Sequence, residues 1–250
     1  MKIESPPTSD LGLNPERIIL DFVRDFNDYF LDEDYDKRYF PRLSWFQRYL
    51  TQHDTVLNLG CSRGRETFAL MWMLGARSVV GIDQVSIRIM EANRILGALR
   101  TLPKNMEFVL SHCPPSYSVE LSQWYEREIP AQIKQGLLPA FSQGEMAELT
   151  PYPSSFFDLV YSRYVLHLIY DHSPKGIAPV INTMARLIKP SVGRVVVVEP
   201  TEKKGKSYDF EPAFAEAGLE LVAKVMERDE LGGADCAESE PTGYVYLKSG

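Results

Sequence analysis

TVLNLGCSRGRETFAL at residues 55–70, followed by VVGID at 79–83, decides the fold of this chain. An apolar run enters a loop bearing Gly60 and Gly64, a helix-like stretch follows, and a second apolar run closes on Asp83. Strand, loop, helix and strand in this order form a nucleoside-binding unit, because an acid at the end of the second strand can accept hydrogen bonds from two ribose hydroxyls. Glycines in the loop let a ligand approach the backbone more closely than side chains would permit. The dinucleotide fingerprint is absent. Counting from Gly60, its third and sixth positions are Ser62 and Arg65, so the close packing that seats a pyrophosphate on the helix is missing.

The stretch VLNLGCSRGRETFAL resembles the first motif of the class I S-adenosylmethionine (SAM) dependent methyltransferases, in which the loop wraps the amino-acid end of the cofactor. Two further segments extend the likeness to roughly residues 55–200. GEMAELTPYPSSFFDLVYSRYVLHLI at 144–169 is similar to the segment in which an acid faces the adenine before the fourth strand, and MARLIKPSVGRVVVVEP at 184–200 to the helix, proline-glycine turn and fifth strand. The resemblance implies a doubly wound, mostly parallel seven-stranded sheet with helices on both faces. It implies SAM as cofactor and S-adenosylhomocysteine (SAH) as product. It carries cofactor binding onto Asn58, Gly60, Cys61, Ser62, Gly64, Asp83, Gln84, Glu145, Met146 and Ser162, with Asp83 at the ribose and Glu145 at the adenine. Two positions depart from the family pattern: Asn58 stands where a first-strand acid is usual, and Ser62 replaces the middle glycine. An asparagine can hydrogen-bond an ammonium group but lacks the charge attraction of a carboxylate.

Composition sets bounds. At 250 residues, 44% apolar and 24% charged, the chain suits one α/β domain with additions. No apolar run reaches the roughly 18 residues of a membrane span, and the N-terminus lacks the features of a signal peptide, so the expectation is a cytoplasmic protein with no membrane partner. Cys61, Cys113 and Cys236 are widely spaced and odd in number, which fits a reducing compartment and no metal site. A net charge of −7 argues against nucleic acid as substrate. Nothing in the sequence fixes the oligomeric state.

Along the chain the reading is a loose tail at 1–13, a helical cap at 14–52 and the SAM-binding domain at 53–250, with an insertion at about 114–143. Asn14 and Pro15 start a helix as N-cap and first-turn proline. Ile18, Phe22, Phe26 and Phe30 then recur every four residues on one face, and a second helix is expected over about 41–50. Between these helices lie Tyr29, Tyr35, Tyr39 and Phe40, and the insertion carries Trp124. With Tyr164, the residues Tyr29, Tyr35, Tyr39 and Trp124 are candidates for the substrate pocket; the competing reading is that the aromatics only pack helices onto the sheet. MEFVLSHC at 106–113 is read as the third strand, with PAFSQGE at 139–145 as the competing register, and TGYVYLKS at 242–249 as the antiparallel edge strand.

The expected function is methyl transfer to an O, N or C nucleophile of a small molecule. The sulfonium is an activated donor, so the protein must place the acceptor, exclude water and in some cases remove a proton. That work forces no catalytic signature. His167, just after the fourth strand, is the candidate base; its competing role is to hydrogen-bond backbone and cap the helix. His112 and His172 are further candidates, while His53 precedes the first strand on the wrong side of the sheet. Asp158 is read as a structural strand-start acid, and Asp171 with His172 makes too small a ligand set for a metal. Two alternatives stay open: a protein of this fold that transfers no methyl group, and a methyltransferase acting on tRNA or protein.

Overall fold

A computed structural model describes residues 15, 17–19, 21–22, 49, 54–72, 75–101, 129–203, 205–226 and 241–248. The sheet is built from β1 (Thr55–Leu59), β2 (Ser78–Asp83), β3 (Ala140–Gln143), β4 (Leu159–Arg163), β5 (Arg194–Pro200), β8 (Leu219–Met226) and β9 (Pro241–Lys248). A two-residue hairpin, β6 (Glu202–Lys203) with β7 (Lys206–Ser207), follows β5. Strand order is β3-β2-β1-β4-β5-β9-β8. The first five strands run parallel, and β9 is antiparallel to both β5 and β8. The helices are α1 (Arg65–Trp72), α2 (Ser86–Leu99), α3 (Ile129–Lys134), α4 (Leu166–His172), α5 (Ile177–Leu187) and α6 (Glu211–Glu216).

Alternation along the central strands divides the interior into two cores, because successive strand residues point to opposite faces. Val56, Leu159, Tyr161, Val196 and Val198 face Phe68 and Trp72 of α1 and Leu96 and Leu99 of α2. Leu57, Leu59, Val160, Val195 and Val197 face Leu166 of α4, Phe214 of α6 and the apolar stripe of α5. This is the doubly wound sheet that the sequence predicts.

Two strand assignments change. The third strand is Ala140–Gln143, paired in parallel with Val80 to Asp83, so the competing register is the one adopted and the insertion ends before Ala140. Residues 106–113 lie outside the described residues. An outermost strand buries little, and here Phe141 is its most buried side chain, packing 5.3 Å from the Phe68 ring. The strong apolar run drew the expectation elsewhere. Likewise β9 is not an edge strand: it lies between β5 and β8, and the edge is β8, whose partners across β9 are offset by a bulge at Leu221/Ala223.

The N-terminal helix is helical at its described positions, and Ile18, Ile19 and Phe22 are buried in the core that contains α1. Phe22 meets Phe68 edge to face at 5.1 Å. The expected tail at 1–13, Phe26, Phe30, the helix over 41–50 apart from Tyr49, and the candidates Tyr29, Tyr35, Tyr39 and Trp124 lie outside the described residues. Among the described residues no helix is long and apolar enough to cross a membrane.

Candidate functional site

A cavity of about 610 Å³ opens at the C-terminal ends of β1, β2 and β4, which is where ligands bind in open α/β sheets. Its first wall is the loop after β1. Gly60 and Cys61 donate their N–H groups to the Ile82 carbonyl at 2.8 and 3.0 Å, so the loop is laid across the end of β2. Gly60 has φ +73° and Gly64 φ +87°. Both need the left-handed region, and both are also packed against the protein. A Cβ on Gly60 would stand 2.2 Å from Val165 Cγ2, and one on Gly64 would stand 2.6 Å from the Phe141 ring. The glycines therefore serve turn geometry and internal packing. Gly60 lines the cavity; Gly64 does not.

Asp83 forms the second wall and is 2% exposed. Its Oδ2 accepts the Ser62 N–H at 2.9 Å and its Oδ1 the Val85 N–H at 2.8 Å. Arg88 lies 3.8 Å from Oδ2. Two backbone donors thus fix the carboxylate and tie it to the loop. Ser62 has φ +51°, a strained conformation for a residue with a side chain. Strain of this kind persists only where surrounding bonds hold it, and the bond to Asp83 is one of them. Gln84, Val85, Glu145 and Met146 continue this wall.

The third wall comes from β4 and α4. Arg163 ends β4 with its side chain 5% exposed, and its Nη1 donates to Glu66 Oε1 at 2.5 Å. Tyr164 follows at φ +54°, with the Arg163 guanidinium 4.8 Å from its ring centre. Leu168, Ile169 and Val180 make this part apolar, and His172 and Ser173 stand at its end.

Of the residues expected at the cofactor, Gly60, Cys61, Ser62, Asp83, Gln84, Glu145 and Met146 line the cavity, as does Tyr164. Three others are turned elsewhere. Asn58 is 1% exposed and donates through Nδ2 to Thr67 Oγ1 at 2.9 Å, which ties β1 to α1. Ser162 is fully buried within β4, and Gly64 packs on Phe141. Burial, reinforced by the Asp83 carboxylate, pushes the Cys61 thiol well above its ordinary pKa, so it is a neutral wall group.

His167 is not on the cavity wall. It is 2% exposed, its Nδ1 lies 2.7 Å from Glu199 Oε2, and its Nε2 lies 3.2 Å from Lys203 Nζ. Glu199 also accepts the Val165 and Leu166 N–H groups at 2.7 Å each and the His167 N–H at 3.3 Å. The start of α4 is therefore capped by a carboxylate from β5, and the His167 ring bridges that carboxylate to the β6–β7 hairpin. Both ring nitrogens of His167, the residue expected as base, thus face protein partners. Asp158 fills its expected structural role, accepting the Thr55 N–H at 2.9 Å and the Lys189 ammonium at 2.7 Å. Partial burial opposes ionisation of its carboxyl, but these bonds prevail and hold the pKa below the ordinary aspartate value.

No family model matches the chain, and no curated protein sequence matches it significantly. Solved structures do match. A TehB-like SAM-dependent methyltransferase from Corynebacterium glutamicum aligns over 94% of this chain and 100% of its own, with TM-score 0.53 and 17% identity. The fold is that of the class I SAM-dependent methyltransferases. A SAM-dependent methyltransferase from Clostridium acetobutylicum aligns over 92% of this chain and 98% of its own, with TM-score 0.54 and 12% identity. The [4+2]-cyclase SpnF aligns over 84% and 81%, with TM-score 0.54 and 14% identity.

Proposed function

We propose that this protein is a cytoplasmic SAM-dependent methyltransferase that acts on an O, N or C nucleophile of a small molecule. The observation that carries the proposal is Asp83, a nearly buried carboxylate oriented by two backbone N–H groups on the wall of a cavity of about 610 Å³. A carboxylate has about four lone-pair positions, and two accepted backbone bonds leave capacity for two ribose hydroxyls. Glu145 and the buried Met146 are suited to the adenine, one as acceptor for its amino group and the other as an apolar surface. The loop at 60–62 receives the amino-acid end.

Bound there, SAM supplies an activated methyl group on sulfur. The apolar side of the cavity, Val165, Leu168, Ile169 and Val180, excludes water and holds the acceptor beside the cofactor. His172 stands on that wall and takes the proton from an O–H or N–H acceptor, the role first sought in His167. A small acceptor fits an acidic chain better than a polyanionic nucleic acid does. Choice of acceptor falls within this proposal to the aromatic-bearing additions at 14–52 and before β3.

The second reading is a protein of this fold that transfers no methyl group. It is favoured by Asn58 being tied to Thr67 and by a cyclase among the structures of similar fold. Incubation with methyl-labelled SAM and a panel of phenols, amines and carboxylic acids separates the two. Labelled product with stoichiometric SAH supports methyl transfer; SAM bound but returned unchanged across the panel supports the second reading.

A further inference from the structure

We infer that the Glu66–Arg163 ion pair is the seat of the cofactor's α-amino-acid group, Glu66 taking the ammonium and Arg163 the carboxylate. The inference rests on the SAM reading and assigns the charge complement that the first strand lacks. Asn58, at the position where an acid would meet an ammonium, is 1% exposed and bonded to Thr67, and it does not line the cavity. β1 itself, TVLNL, offers no carboxylate.

Register places Arg163. β1 pairs with β4 as Asn58 with Tyr161 and Leu59 with Ser162, so Arg163 leaves β4 at the level where the loop leaves β1. Glu66 lies in the first turn of α1, directly after the same loop. The two side chains meet at 2.5 Å on the cavity wall, with only 5% and 13% of their surfaces exposed. Among the other arginines of the wall, Arg63 is more than half exposed and bound to Glu91, Arg65 at the start of α1 is partly exposed, and Arg88 belongs to the Asp83 side. Arg163 is the buried cation beside the loop. Its guanidinium lies 4.8 Å from the centre of the Tyr164 ring, whose own backbone is strained at φ +54°.

A buried ion pair costs about as much in desolvation as it gains, so stability alone is a weak reason for one. On a cavity wall it has another use. A planar guanidinium fork matches a carboxylate, and a carboxylate accepts from an ammonium, so two opposite charges side by side complement a zwitterion. Adenine and ribose carry no charge. The α-amino acid is the zwitterionic part of the proposed ligand.

The test uses the full chain and three ligands in isothermal titration: SAH, the SAH analogue with hydrogen in place of the α-ammonium, and 5′-methylthioadenosine, which has no amino-acid group. Wild type binds SAH at least about tenfold more tightly than methylthioadenosine, as expected for hydrogen bonds between charged groups. Glu66→Gln loses about ten- to hundredfold for SAH, changes little for the deaminated analogue, and keeps its methylthioadenosine affinity. Arg163→Lys weakens both ligands that carry the carboxylate and spares methylthioadenosine. Three results overturn the inference: SAH binding to Glu66→Gln as to wild type, equal losses for all three ligands, or a wild type that does not prefer SAH to methylthioadenosine. The last needs no variant to fold. A wild type that binds none of the three refutes the cofactor reading beneath the inference.

Discussion

Replacing Asp83 by alanine removes an acceptor that serves the loop and the proposed ligand at once, and the two losses are measurable separately. In the free protein the Ser62 and Val85 N–H groups lose their partners at 2.9 and 2.8 Å. A buried unsatisfied donor costs about 1–3 kcal/mol, and because the cavity admits water the lower end applies. Two donors then give about 2 kcal/mol. For a chain of this size that corresponds to a fall in Tm of about 4–8 °C. In the complex the ribose hydroxyls lose bonds to a charged acceptor, worth about 1.5–3 kcal/mol, so SAH affinity falls by about ten- to 150-fold. Denaturant titration without ligand measures the first effect and calorimetry of SAH the second. A 2′-deoxy-SAH control separates ribose contact from loop disorder, since wild type and variant should differ less for it. Unchanged SAH affinity in a folded Asp83→Ala protein refutes the ribose assignment.

Gly60→Ala should cost about 2–4 kcal/mol, combining left-handed strain at φ +73° with overlap on Val165 Cγ2; denaturation of Gly60→Ala/Val165→Ala should recover the overlap part and leave the strain. His172→Ala should lower turnover at least about tenfold with SAH affinity intact, whereas His167→Ala should lower Tm without a selective loss of turnover; the reverse pattern returns the base role to His167. Asp158 has its pKa depressed in the fold, so its bonds to Lys189 and Thr55 contribute fully above the unfolded value of about 3.9 and are lost as pH falls through the lower folded value. Stability of Asp158→Asn should accordingly lie below wild type at pH 6, and the gap should close toward pH 2; a gap independent of pH contradicts the assignment.

The strand, loop, helix and strand over 55–83 were legible because buried parallel strands write themselves as continuous apolar runs, and the acid that ends the second run needs no tertiary knowledge to locate. Burial of Ile18 and Phe22 was legible in the same way, from spacing alone. β3 was legible only as the competing register, since an outermost strand packed through Phe141 leaves no long apolar run. The edge position of β8 was hidden because chain order does not fix order in the sheet. Glycine was misread in part: the sequence shows that residues 60 and 64 need room, but only the fold shows that Val165 and Phe141 use it. Glu199 and Arg163 were illegible for a different reason. Their partners, His167 and Glu66, are 32 and 97 positions away, and no local pattern marks a carboxylate that will cap a distant helix or an arginine that will meet a distant glutamate.

Isothermal titration of the intact protein with SAM, SAH and NAD tests the central claim most directly. Micromolar binding of SAM and SAH with no heat from NAD is the result expected of a cavity built around Asp83 on this fold. Binding of NAD, or of none of the three, would contradict it.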